Sequence, residues 1–79
     1  MLETYFKVVD NKFDLNNINP EIYKKKFVVT FWVNKDSKGL ISGFIESINQ
    51  EFLFMRDAFD LTRQSIHIKN ILGMLENNY

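Results

Sequence analysis

The sequence predicts a mainly β protein: a small five-stranded antiparallel barrel of the Sm or SH3 type, preceded by a short helical turn. Three observations carry that expectation. Residues 27–33, FVVTFWV, are aromatic or β-branched throughout, which is strand composition. Further apolar runs follow at short intervals, separated by polar turn clusters such as NKDSKG at 34–39. Gly43 lies inside the longest run, and a glycine within a strand marks a bulge, a sharp bend or a close backbone approach. A chain of 79 residues makes one domain, too small for two good packed sheets. A long strand bent at glycine lets one sheet fold over itself and close. An open sheet packed on the N-terminal segment is the first alternative.

Taken in order, residues 1–19 form an N-terminal segment with one β-prone stretch, TYFKVVD, and then the Asn-rich NKFDLNNINP. Turn chemistry dominates there, because Asn and Asp side chains bond nearby backbone and tolerate left-handed φ. Asn19-Pro20-Glu21 reads as a helix start, with an Asn cap, Pro at the first helical position and an acid in the first turn. The helix should run only over 20–25, because β-formers take over at Phe27. The barrel spans 20–76, with strands expected at 26–33, 39–49, 51–57, 63–70 and, after a tight turn at Lys69-Asn70, 71–76. In the first, Phe27, Val29, Phe31 and Val33 point inward. In the second, both parities are apolar (Leu40, Phe44 and Ile48; Ile41 and Ile45), as a bend at Gly43 would require. In the fourth, Ile66 and Ile68 point inward and Ser65 and His67 outward. Residues 77–79 should fray.

Composition narrows the function. The chain is 46% hydrophobic, too apolar for disorder. Lys+Arg and Asp+Glu are both 10, so no bulk positive field attracts nucleic acid. The count of zero cysteines removes disulfides, thiolate nucleophiles and Cys-type zinc sites. The opening residues lack the pattern of a signal peptide, and no run reaches the roughly 18 apolar residues of a membrane span. A cytoplasmic protein without membrane attachment is expected. Alanine occurs only at Ala58, while Asn, Ile, Lys and Phe, whose codons are AT-rich, are abundant; a low-GC bacterium or its phage is the expected source.

From residue 27 to 76 the order is an apolar strand, a polar turn, SGFIESIN around Gly43, and then IHIKNILGML. This order resembles the YolD-like family of small proteins from Gram-positive bacteria and their phages. The resemblance implies an Sm-like fold and an association with error-prone DNA polymerases and prophages, and it brings no catalytic residue. Sm proteins proper bind uridine-rich RNA through an Asn after the bent strand and an Arg-Gly pair near the last loop. Asn49 falls near the first position, but IKNILG contains no Arg-Gly pair, so that RNA site does not carry over.

No constellation of catalytic residues emerges, and no cofactor, metal or enzyme activity is expected. His67 is the sole histidine, without a ligand or base partner nearby in sequence, and reads as a plain surface histidine. Asp57 and Asp60 flank a turn, where Asp usually bonds backbone N–H groups. Binding remains. Lys24, Lys25 and Lys26 form one basic run that, with Arg63 and Arg56, could contact nucleic-acid phosphate, while Trp32 or Phe54 offers a stacking platform. The zero net charge favours the other reading, in which these lysines are gatekeepers beside an aggregation-prone strand. The open question is what covers Val28 and Trp32, which face away from Phe27 and Val29. The N-terminal segment, a second copy joined through a strand edge, or a protein partner would each do so, and the Phe52–Phe54 pair on the third strand faces the same choice. Phe54 and Arg56 join Trp32 and Val28 as partner-contact candidates. The leading expectation is a non-catalytic, phage- or prophage-encoded module that binds a host or defence protein. The alternative is a nucleic-acid-binding accessory protein of DNA repair or RNA metabolism.

Overall fold

The computed structural model describes residues 5–77, and the sequence expectations of a mainly β chain hold across them. Five antiparallel strands, β3 (Lys26–Asn34), β4 (Ser37–Ile48), β5 (Phe52–Asp57), β6 (Arg63–His67) and β7 (Ile71–Glu76), pair in the order β6-β5-β4-β3-β7. A two-stranded hairpin, β1 (Val8–Val9) with β2 (Lys12–Phe13), precedes them. The two edge strands, β6 and β7, are not hydrogen-bonded to each other. Nevertheless Ile66 of β6 and Met74 of β7 are buried in one cluster with Phe27, Val29, Ile41, Ile45, Leu53 and Met55. The chain passes from His67 to Ile71 through only Ile68–Asn70, at most about 14 Å, whereas the edge strands of a flat five-stranded sheet lie about 19 Å apart, so this sheet is curled.

The N-terminal segment packs against the open end of that curl. Phe13 and Ile22 are buried in the same cluster. Tyr5 meets Phe27 edge-on at 5.6 Å between centroids, and Phe6 meets Phe13 at 5.4 Å, the edge-to-face geometry that aromatic quadrupoles favour. The Tyr5 hydroxyl donates to Glu76 Oε1, and that bond pushes the phenol above its ordinary pKa. Asp10 and Asn11 make the two-residue turn of the hairpin with φ of 53° and 62°, the left-handed pair that a primed turn requires and that Asp and Asn tolerate best. The Phe13 N–H then donates to Gln50 O at 2.8 Å, tying the hairpin to the β4–β5 turn.

Asn19 caps as its sequence promised, its side chain accepting from Glu21 N–H at 3.0 Å. The turn it opens, Pro20–Lys24, is a 3-10 helix and not an α-helix. Five residues are too few to build the α-helical hydrogen-bond ladder, and a 3-10 turn closes its first bond one residue sooner.

Three expectations about facing are corrected. Val33 is 62% exposed rather than inward: the β3–β4 register shifts after Trp32, and Val33 sits beside the hairpin tip beyond the core. The parity of β4 changes at Glu46 and not at Gly43. Ile41, Gly43 and Ile45 all face inward; then Ile45 pairs Met55 and Ser47 pairs Phe54, leaving Glu46 as the extra residue of a bulge. Strand β6 ends at His67, and Ile68–Asn70 forms a 3-10 turn whose second N–H, from Lys69, donates to His67 Nδ1 at 3.1 Å. His67 is therefore a half-buried capping residue, edge-on to Phe52 at 4.9 Å, and not a plain surface histidine. Of the tail expected to fray, Asn77 donates its N–H to Lys26 O at 2.7 Å, while residues 78 and 79 lie outside the described residues.

Gly43 earns its place by close approach. A Cβ there would lie 2.0 Å from Arg56 O and 2.9 Å from Arg56 C. Its φ is not positive, so the requirement is for room and not for left-handed backbone.

Candidate partner-binding surface

The loop between β5 and β6 is short, apolar at its tip and densely hydrogen-bonded. Asp57 Oδ1 accepts from the N–H groups of Phe59 at 2.7 Å and Asp60 at 3.3 Å. Asp60 Oδ1 accepts from the Thr62 N–H at 3.0 Å and the Thr62 hydroxyl at 2.7 Å. Those bonds, the hydroxyl's first, hold the Asp60 carboxyl below its ordinary pKa. Backbone bonds close the frame: Asp57 N–H to Thr62 O at 2.8 Å, Leu61 N–H to Asp57 O at 3.0 Å, and Ala58 N–H to Ser42 O at 2.9 Å. Both aspartates thus serve the turn, as their sequence context indicated.

What this frame presents is unusual. Phe59 is 97% exposed and Leu61 beside it is exposed too. Leu61 stands at φ 64°, a left-handed conformation that costs an L-residue roughly 1–2 kcal/mol. An ordered loop that holds one leucine under strain and one phenylalanine in water does nothing for the core. Both features suit an anchor held ready for another molecule. The sequence reading missed Phe59, although the signal was there: an aromatic residue between two turn-forming aspartates has no neighbouring strand to bury it.

A second apolar area lies on the outer face of β3, β4 and β7. Val28 stands between Ser42 and Leu75, and Thr30 between Leu40 and Gly73, with Trp32 opposite Lys38. Leu40 is 66% and Leu75 72% exposed, whereas Val28 and Trp32 are half-buried. The Lys38 ammonium lies 5.1 Å from the Trp32 ring centroid, within cation–π range. Tyr5, Phe6, Phe13 and Ile22 of the N-terminal segment pack against the core rather than over this face. Leu40 and Leu75 were not foreseen as surface residues, yet Leu40 has the opposite parity to Ile41.

The outer face of β4, β5 and β6 differs. Across four strands the register sets Lys26, Phe44, Arg56 and Arg63 in one row. Glu46, thrown outward by its bulge, takes both arginines, with Arg63 Nε at 2.9 Å and Arg56 Nη1 at 3.9 Å. Phe54 and Phe52 lie alongside, ring centroids 6.0 Å apart. The lysine run is divided: Lys24 sits on the 3-10 turn 3.5 Å from Glu21, Lys25 follows that turn, and Lys26 belongs to β3.

A cleft of about 750 Å³ opens between the N-terminal hairpin and β7, with Phe6, Phe13, Ile71 and Met74 among its apolar lining and His67 and Glu51 at its rim. No hydrogen bond or ion pair joins those last two among the described residues. Also among the described residues, no group of three His, Asp or Glu side chains is placed to hold a metal, and no helix is long and apolar enough to cross a membrane. Compared with protein-family models, curated proteins and solved structures, the chain matches none.

Proposed function

We propose that this chain is a non-catalytic protein-binding module that inserts Phe59 into an apolar pocket on its partner. The observation that carries the reading is the pairing of near-complete exposure at Phe59 with the hydrogen-bonded, strained frame that fixes it. A pre-ordered aromatic anchor loses little entropy on docking, and such residues dominate interface energetics. The strand order, with a 3-10 turn before the last strand, supports an Sm/SH3-like barrel as the scaffold. In keeping with the YolD-like resemblance and the AT-rich composition, the partner is a host or defence protein met by a phage- or prophage-encoded, cytoplasmic binder. Its action is stoichiometric occupation of a surface.

A second reading, contact with single-stranded nucleic acid, draws on the Lys26–Phe44–Arg56–Arg63 row. Glu46 weakens it by neutralising part of that row.

One experiment separates the two. Wild type and Phe59→Ala baits are used side by side for quantitative capture from a low-GC Gram-positive lysate, with and without nuclease. Phe59→Ala should leave the melting curve within about 0.5 kcal/mol of wild type, as for a surface site. It should weaken the captured partner's affinity by roughly 30-fold, the effect of losing an anchor worth about 2 kcal/mol. Equal capture by both baits refutes the Phe59 anchor. Capture abolished by nuclease, by raised salt and by Arg63→Gln establishes the nucleic-acid reading instead.

A further inference from the structure

The edge strand β7 is built as though another strand belonged beside it. Apart from the pairing with β3, the backbone groups of residues 72–76 make no backbone hydrogen bond among the described residues. Proteins blunt such edges with lysine, proline, inward-pointing charge or a bulge. ILGMLE has no lysine, proline or charge before its final Glu76, and its one bulge, at Leu72, precedes the stretch 73–76 that pairs regularly with β3. The opposite edge, β6, is one residue shorter and carries Arg63 and Gln64 exposed. Then there is Gly73. Glycine in a strand interior costs stability, yet Gly73 has no positive φ and a Cβ added there would meet nothing within 4 Å. Neither the backbone nor the packing of this chain requires a glycine at that place. Two residues on, and on the same outer face, Leu75 is 72% exposed. The edge therefore carries a gap and a knob side by side.

We infer that β7 pairs with β7 of a second copy in antiparallel fashion about Met74, so that Leu75 of each chain covers Gly73 of the other. Directly opposed residues of an antiparallel pair lie on one face with Cβ atoms about 5 Å apart, and the twofold axis makes the contact reciprocal. This register keeps facing consistent, because Gly73 and Leu75 both point outward while Met74 stays in its own core. The charges agree with it. In this register Glu76 of one copy falls opposite Leu72 of the other, so no like charges are opposed, and a chain of net charge zero does not repel its twin. The result is one continuous ten-stranded sheet, twice the five strands of a single copy. The loop carrying Phe59 joins β5 and β6 and contributes no residue to this seam, so the dimer presents two anchors. A six-residue edge with one leucine knob per copy is at the small end of specific interfaces, and the dimer should dissociate with Kd on the order of 10 μM.

Sedimentation velocity of the full chain over the micromolar to millimolar range tests this. A concentration-dependent monomer–dimer equilibrium is expected for the wild type. Gly73→Val fills the gap and Leu75→Lys removes the knob; each should leave the melting temperature in place and weaken the dimer by at least about tenfold, the equivalent of 1.4 kcal/mol. Because the chain has no cysteine, register can be read separately. The double variant Gly73→Cys with Leu75→Cys should oxidise to a covalent dimer, and Leu75→Cys alone should not. A chain that stays monomeric throughout overturns the inference. So does self-association that survives Gly73→Val, or covalent dimerisation by Leu75→Cys alone. None of these outcomes depends on Phe59, so the partner-binding reading stands or falls independently.

Discussion

Gly43→Ala is expected to cost about 3 kcal/mol or more and to lower the melting midpoint by roughly 12–24 °C for a domain of this size. The methyl group would sit 2.0 Å from Arg56 O, 2.9 Å from Arg56 C and 3.0 Å from Asp57 Cα. All three are backbone atoms, so no rotamer change makes room. Relief requires β4 to move away from β5 where Gly43 pairs Asp57. That movement also pulls on the neighbouring Ala58 N–H to Ser42 O bond at the root of the Phe59 loop. Gly73→Ala is the internal control: its methyl group meets open space, and exchanging glycine for alanine there should be neutral or slightly stabilising. Thermal melts followed by circular dichroism decide the matter. A Gly43→Ala chain that melts with the wild type would mean the two strands are not in close approach.

Phe27→Ala is expected to be nearly as damaging, at about 3–5 kcal/mol. Phe27 is the largest fully buried side chain and lies where β3, the flanking β4 and β7, and the N-terminal Tyr5 converge. Truncation removes its transfer free energy and leaves a cavity that the curled sheet cannot close without losing register. A domain of 79 residues has only about 4–12 kcal/mol to lose, so much of the population should unfold in mild denaturant. Urea titration gives the value directly. A loss under about 1 kcal/mol would place the packing centre elsewhere.

Several elements could be read from residues alone because their causes are local. Asn19-Pro20 states its cap and its fixed φ, and β-branched runs bounded by polar clusters state their strands. Gly43 inside an apolar run points to a bend, whereas the structure has close approach to Arg56 there. What escaped depends on pairing between distant segments. The bulge at Glu46 exists because β5 meets β4 with one residue fewer; no property of Glu46 announces it, and with it the reason for the double parity of β4 was misplaced. Val33 falls outside the core because the β3–β4 register shifts near the hairpin tip. The N-terminal segment was weighed as a cover for Trp32, since its apolar residues fit either role, but Phe13 and Ile22 pack into the core cluster. At the surface, strand parity and residue type point to Trp32, Val28, Phe54 and Arg56, and all four prove half-buried. Phe59, Leu40 and Leu75 bear the greater exposure, which follows from where a loop or strand points and not from which amino acid it carries.

The most direct measurement sets adjacent residues of β4 against each other. Leu40 and Ile41 are neighbours of similar size, one 66% exposed and the other fully buried. If a single curled sheet wraps its core on one side and leaves an apolar face to solvent on the other, Ile41→Ala should cost about 2–5 kcal/mol and Leu40→Ala no more than about 0.5 kcal/mol, read as unfolding free energies in urea. Equal losses for the two, or a larger loss for Leu40→Ala, would contradict both the one-sided core and the free face.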